Sequence, residues 1–162
     1  MTVPLHPDFR ELLAELGDAG VRYLIVGGYA VSLHARPRST KDIDLWIAND
    51  AENLARVAGA LERFGAPQAI VESVRHLGPD EFVFMGRPPL RVDFLCSLSG
   101  VDFDTAFPRK VTMVWDGLEI PVIGAEDLLA NKRAAGRPQD LRDARAIERA
   151  SGMTRRALRP KR

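Results

Sequence analysis

The sequence predicts an α+β fold: a mixed β-sheet flanked by helices and closed by C-terminal helices. Three observations carry this. Short apolar runs of strand character alternate with amphipathic helical stretches between Phe9 and Phe64. Two later pairs of strand-like runs are joined by turn-forming residues, which makes each pair antiparallel neighbours. The last part of the chain then reads as two successive helices separated by Gly136 and Pro138. A length of 162 residues fits one domain, residues 1–150, followed by a basic tail, residues 151–162, that is expected to fray.

Each element follows from its pattern. Phe9, Leu12, Leu13 and Leu16 recur at helical spacing before the stop residues Gly17 and Gly20. Tyr23–Val26 is a buried strand that runs into a tight Gly27-Gly28 turn, and a short helix from Tyr29 to about His34 follows. The polar stretch from Ala35 to Lys41, with Arg36, Pro37 and Arg38, is a loop feeding a strand at Ile43–Ala48. Asn49 or Asp50 caps a helix to Phe64, with Leu54, Val57, Ala58 and Leu61 on one stripe, ended by Gly65 and Pro67. Strands Glu81–Met85 and Leu90–Cys96 flank Gly86-Arg-Pro-Pro89, and strands Val111–Trp115 and Leu118–Val122 flank Asp116-Gly117, a strong two-residue hairpin signal. Helices at Glu126–Ala135 and Gln139–Ala150 close the fold, with Pro138 suited to a first helical position.

Composition excludes several classes. With 23 basic and 22 acidic residues the formal charge is +1, so no whole-surface footprint for nucleic acid or membrane exists, and any such site is local. Cys96 is the single cysteine, which excludes an internal disulfide and a multi-cysteine zinc cage and leaves a buried, inert thiol. No leader-like start and no apolar run near the roughly 18 residues of a membrane span are present, so the expected location is cytoplasmic, without a membrane partner. Beyond Gly152 the chain is dense in arginine and lysine, a solvated terminus or an RNA-binding arm.

The chemistry concentrates in three aspartates. In Lys41-Asp-Ile-Asp-Leu-Trp-Ile47, strand alternation puts Asp42 and Asp44 on one face and Ile43, Leu45 and Ile47 on the other. Asp93, in Leu90-Arg-Val-Asp-Phe-Leu95, lies on the parity opposite Val92, Phe94 and Cys96 and joins the pair if the two strands are close in one sheet. Carboxylates roughly 5 Å apart repel by about 3 kcal/mol per pair at an effective dielectric near 20. Either one carboxyl stays protonated or divalent cations occupy the cluster. Oxygen ligands without nearby cysteine or histidine favour Mg2+, with Mn2+ as alternative, and magnesium is usually completed by substrate phosphates, which points to a nucleoside triphosphate. The plain alternative is that the aspartates bound strand ends or pair with Lys41 and Arg91. Gly27-Gly28 lets a phosphate approach the backbone at a helix N-terminus, and Arg36, Arg38, Ser39 and Lys41 add donors. Trp46 and Trp115 read as packing residues, and His34 as structural or surface.

Taken in order, Gly27-Gly28, a short helix, a basic loop, Asp42-Ile-Asp44 and Asp93 resemble the nucleotidyltransferase superfamily with the polymerase-β-like core. Gly-Gly-Tyr-Ala, Arg-Ser-Thr-Lys-Asp-Ile-Asp-Leu, Glu126-Asp-Leu-Leu-Ala-Asn-Lys132 and Arg137-Pro-Gln-Asp-Leu-Arg-Asp143 are similar to the AbiEii-type nucleotidyltransferases, toxins of bacterial toxin–antitoxin systems. The resemblance implies that Asp42, Asp44 and Asp93 hold Mg2+, that Lys132 and Asp140 belong to the active site, and that Gly27, Gly28, Arg38, Ser39 and Lys132 position the nucleotide. It further implies an RNA acceptor, a tRNA 3′ end, and a toxin or antitoxin partner protein. Many superfamily members carry Gly-Ser where this chain has Gly27-Gly28, which leaves Ser39 as the candidate hydroxyl. Small antibiotic-modifying nucleotidyltransferases, such as the lincosamide class, share the glycine pair and the Asp-x-Asp. A small molecule or a protein is therefore the alternative acceptor, and a silent binding module of the same fold the alternative to an enzyme.

Overall fold

In the computed structural model, which describes residues 4–35, 37, 40 and 42–152, seven helices and six strands follow one another along the described chain. They are α1 (Pro7–Asp18), β1 (Tyr23–Val26), α2 (Gly27–His34), β2 (Asp42–Ile47), α3 (Ala51–Phe64), α4 (Gln68–Arg75), β3 (Phe82–Met85), β4 (Arg91–Leu95), α5 (Phe103–Ala106), β5 (Val111–Trp115), β6 (Leu118–Val122), α6 (Ala125–Ala135) and α7 (Pro138–Ser151). A 3-10 turn, Phe107–Arg109, links α5 to β5. The strands form one mixed sheet in the order β3-β4-β2-β1-β6-β5. β1 pairs antiparallel with β2 and parallel with β6, β2 runs parallel to β4, and both expected hairpins, β3–β4 and β5–β6, are antiparallel. The α+β sheet with flanking and closing helices is as the sequence predicts.

Local chemistry sets the boundaries. Asp50, not Asn49, caps α3: its carboxylate accepts from the Asn53 backbone N–H at 2.8 Å. Asn49 instead donates to the Leu77 carbonyl at 2.8 Å and to Cys96 Sγ at 3.2 Å, which fixes the buried thiol. Gly65, at φ 93°, closes α3 in the left-handed conformation that glycine adopts without a Cβ penalty. Asp116 and Gly117 have φ of 49° and 79°, the backbone a two-residue hairpin turn needs. Pro138 occupies the start of α7, and the Asp140 carboxylate accepts from the Arg137 backbone N–H at 3.2 Å, a first-turn acid satisfying an orphan donor.

Three features differ from the sequence reading. α2 starts at Gly27 instead of Tyr29, so the glycine pair is the first turn of the helix itself and not a turn before it. α4 follows Pro67 where no element is expected: its apolar stripe is Ile70, Val71 and Val74 alone, too short a pattern to stand out beside a proline that reads as a stop. The turns between Phe103 and Arg109 likewise lack a repeating pattern. The apolar faces of β2 and β4, with Ile43, Leu45, Ile47, Val92 and Phe94, are buried in one core together with Phe9, Leu12, Leu16 and Trp115. Packing joins α1, α3 and α4 into one helical group and α2, α6 and α7 into another. No described helix is long and apolar enough to cross a membrane. The basic tail from Met153 lies outside the described residues, as do Arg36, Arg38, Ser39 and Lys41 of the loop before β2.

Candidate active site

Sheet register builds the site. The parallel pairing of β2 with β4 sets Asp44 directly opposite Asp93, and Asp42 opposite Arg91. The antiparallel pairing of β1 with β2 sets Val26 opposite Asp44, so Gly27, the next residue, begins α2 against that carboxylate. All three aspartates share the face opposite the buried Ile43 and Val92, and each offers a carboxylate oxygen that lies within 4.8 Å of those of the other two. The carboxyl groups therefore meet although Asp93 is remote in sequence. Arg91 holds Asp93: its Nε and Nη2 donate to Oδ1 at 3.1 and 3.0 Å, while its guanidinium lies 4.1 Å from the centre of the Phe84 ring. Thr40 Oγ1 donates to the Asp42 carbonyl at 3.1 Å and supports the strand entry.

Burial first, then the Asp93 and Asp42 charges and a hydrogen bond to Asp93, push the Asp44 carboxyl up to about 7, against a smaller opposing pull from Lys132. A carboxyl kept protonated near neutral pH by its neighbours is a group that a cation would deprotonate and bind. The donor set is entirely carboxylate oxygen, which suits a hard divalent ion such as Mg2+ or Mn2+.

Gly27 is held to glycine by two constraints. Its φ is +68°, and an added Cβ would strike Asp44 Oδ2 and come within 3.0 Å of Asp44 Cγ. Gly20 has nearly the same backbone, φ +69°, but its nearest neighbour would be Arg56 Nη1 at 3.8 Å. The pair separates backbone strain from collision. Gly20→Ala is expected to cost about 1–2 kcal/mol from the left-handed backbone alone. Gly27→Ala adds displacement of Asp44, so metal affinity measured by titration calorimetry should fall at least about ten-fold in that variant and remain unchanged in Gly20→Ala.

The opposite wall comes from α6 and α7. Lys132 is only 6% exposed, and its Nζ lies 3.4 Å from Asp140 Oδ1 and 3.1 Å from Asp143 Oδ2. Asp140 also accepts from Arg137 Nε at 2.7 Å, and Asp143 accepts from Gln139 Nε2 at 2.9 Å. Burial alone would raise the Asp140 carboxyl, but the Arg137 hydrogen bond and the Lys132 and Arg137 charges hold it below the ordinary carboxylate range. Asn131 Nδ2 donates to the Ser99 carbonyl at 3.0 Å and ties α6 to the segment after β4. A cleft of about 810 Å³ lies between the walls, lined among others by Gly27, Gly28, Asp44, Asp93, Lys132 and Arg137.

The structure thus brings Gly27, Gly28, Asp42, Asp44, Asp93, Lys132 and Asp140 to one cleft. Arg38 and Ser39, expected at the nucleotide, lie outside the described residues. Arg137 and Asp143 carry no site role in the sequence reading, and their signal was their spacing: each lies three residues from Asp140 in α7 and its N-cap, within reach of the same charges. His34 is structural, with Nε2 2.6 Å from the Ile123 carbonyl oxygen, and Trp46 and Trp115 are buried packing residues.

A mixed sheet presenting three clustered carboxylates beside a glycine-started helix is the architecture of a nucleotidyltransferase. The sequence matches the family described as nucleotidyl transferase of unknown function (DUF2204) over residues 6–160, and the chain belongs to that family. Solved structures share the fold, among them the following three. The crystal structure of ANT(2'')-Ia in complex with adenylyl-2''-tobramycin superposes with a TM-score of 0.55 at 14% identity, covering 92% of this chain and 89% of that one. The lincosamide antibiotic adenylyltransferase LnuA, lincomycin-bound, gives 0.58 at 16%, covering 90% and 97%. An antigenic nucleotidyltransferase-like protein from Paracoccidioides brasiliensis gives 0.53 at 17%, covering 90% and 78%. No curated protein is significantly similar to the chain in sequence.

Proposed function

We propose that this nucleotidyltransferase moves a nucleoside monophosphate from a nucleoside triphosphate to a hydroxyl of a small-molecule acceptor and releases pyrophosphate. The observation that carries the reading is the meeting of Asp42, Asp44 and Asp93, with carboxylate oxygens within 4.8 Å of one another, beside the Gly27-Gly28 helix start. Divalent cations held by these three residues would neutralise the attacking and leaving oxygens of an in-line displacement. The chain's own groups do the rest. The first-turn backbone N–H groups of α2 donate to phosphate oxygens, because Gly27 and Gly28 offer no side chain to block them. Lys132, steadied by Asp140 and Asp143, and Arg137, steadied by Asp140, face the triphosphate as charge-assisted donors. Asp140 is in this reading a positioning residue. Asp93, its Oδ1 held by Arg91, takes the acceptor proton on Oδ2; the acceptor oxygen bonds to the α-phosphorus as the bond to pyrophosphate breaks. Arg38 and Ser39 join the phosphate contacts on the strength of their place in the sequence.

Size and charge favour a small acceptor over the tRNA 3′ end that the AbiEii resemblance implies. A cleft of about 810 Å³ holds a triphosphate with a small partner. On the β3 side its lining includes the exposed carboxylates Asp80 and Glu81, which repel a phosphate backbone. The test is incubation with α-labelled triphosphates, Mg2+ and either small hydroxylated acceptors or total RNA, with Asp44→Ala as control. Metal-dependent label transfer with pyrophosphate release is expected, and chelation should abolish it. Failure of the protein to bind any triphosphate in the presence of Mg2+ or Mn2+ would overturn the reading, whereas binding without transfer to any acceptor would favour a silent module.

A further inference from the structure

The aspartates do not end at the sheet edge. β3 pairs with β4 so that Phe84 stands opposite Asp93 and Phe82 opposite Leu95, which puts both rings on the face that carries the carboxylates. Laterally the register runs Val26, Asp44, Asp93, Phe84, from the strand end just before Gly27 to the edge strand. Phe82 is 61% and Phe84 49% exposed, unusual for two phenylalanines on one short strand whose other side chains are half-buried. One exposed ring has a partner within the chain: Arg91 covers Phe84. Phe82 lines the cleft, with Asp80 and Glu81 just before it.

We propose that Phe82 is the residue on which the acceptor lies, and that the acceptor is a small molecule with a flat or apolar ring face and a cationic amine. This rests on the nucleotidyl-transfer reading above and adds the acceptor's chemical class. The two sides of the cleft differ in kind. Glycine amides, Lys132 and Arg137 suit an anionic triphosphate. The β3 side instead combines an exposed aromatic face with Asp80 and Glu81, and Arg91, which lines the cleft on the adjacent strand β4, is committed to Asp93 and to the Phe84 ring. A ring against Phe82 gains stacking and buried area, while the carboxylates attract an amine and select against phosphate-bearing acceptors. The geometry also sets reach: Phe82 is two residue pairs along the ladder from Asp93 and so the next on the same face, and a ring stacked there can extend a hydroxyl toward Asp93.

The experiment uses the full chain with Mg2+ and labelled triphosphates. Acceptors are a panel of ring-containing hydroxylated amines, each paired with its N-acetylated form, together with bulk tRNA. The amines should be labelled at least about ten-fold faster than their acetylated partners. Phe82→Ala should raise the acceptor KM about ten-fold while triphosphate affinity stays within two-fold, and Phe82→Tyr should restore the acceptor KM. Asp80→Asn combined with Glu81→Gln should narrow the difference between amine and acetylated acceptors. Phe82 is exposed, so these variants keep the fold, which near-native circular dichroism checks. Equal labelling of acetylated and free amines, labelling of tRNA in preference to both, or an acceptor KM indifferent to Phe82→Ala would each overturn the inference. So would triphosphate binding without transfer to any panel member; loss of triphosphate binding itself would instead sink the underlying reading of the site.

Discussion

In Asp44→Asn, label transfer is expected to fall by about a thousand-fold or more, while the metal-free protein at pH 8, where Asp44 would be ionised, melts at a higher temperature than the parent. Both changes come from one carboxyl. Asp44 is the middle member of the trio, opposite Asp93 across the β2–β4 pair and against Gly27, and charge stabilisation of a phosphoryl transition state is worth several kcal/mol. Without a cation that same position is unfavourable, because burial and the Asp93 and Asp42 charges work against ionisation. Asparagine keeps the volume and removes the charge. A fall in activity with no gain in metal-free melting temperature would contradict this account of the cluster.

The sign of the pH dependence follows. Asp44 is raised to about 7 in the folded chain from 3.8, so the folded state binds the proton more tightly than the unfolded one. That contribution to stability is complete below the unfolded value and is lost as pH rises through about 7. The metal-free melting temperature, measured in chelator, is therefore expected to drop by a few degrees between pH 5 and pH 8, at about 2–4 °C per kcal/mol for a chain of this size. Saturating Mg2+ should remove the drop by taking the proton's place, and Asp44→Asn should flatten it. A melting temperature that rises across this range would refute the assignment.

The parts of the site that sequence reveals are those governed by local rules. Strand alternation alone put Asp42 and Asp44 on one face, and the opposite parity of Asp93 from Val92 and Phe94 put it on the matching face of its strand. That β2 and β4 lie side by side is a long-range pairing that no local pattern encodes. Parity is necessary for the trio and adjacency completes it. Gly27 was legible as a glycine beside a phosphate, yet its strongest constraint, the Asp44 carboxylate pressed against its α-carbon, depends on the β1–β2 register. Lys132 shows the limit most plainly. On a helix carrying few strongly apolar residues a lysine reads as solvated, but α7 packs across α6 and encloses it between two carboxylates. Phe82 and Phe84 show the same limit from the other side: the Phe-Val-Phe-Met run reads as a strand, but only the sheet order makes β3 the edge and leaves its aromatic face open.

Lys132→Met tests whether that enclosed ammonium serves the fold as well as the nucleotide. Methionine matches the length and much of the volume, so the change removes charge and leaves little cavity. Asp140 and Asp143, both nearly fully buried, then lose a shared cation; Asp140 retains Arg137 and Asp143 retains Gln139. Breaking a buried pair by removing one partner costs about 3–5 kcal/mol, and the Arg137 contact puts this site at the lower end, so a melting-temperature drop of roughly 6–10 °C is expected. Transfer should fall about a hundred-fold through weaker triphosphate binding. Adding Asp143→Asn removes the uncompensated charge, because the Gln139 amide can still donate to the asparagine carbonyl. The double variant is therefore expected to regain most of the lost melting temperature while its triphosphate affinity stays low. Recovery of both together would mean that Lys132 acts on the nucleotide only by holding α6 and α7 in place. Recovery of stability alone would mean that its ammonium reaches the phosphates directly.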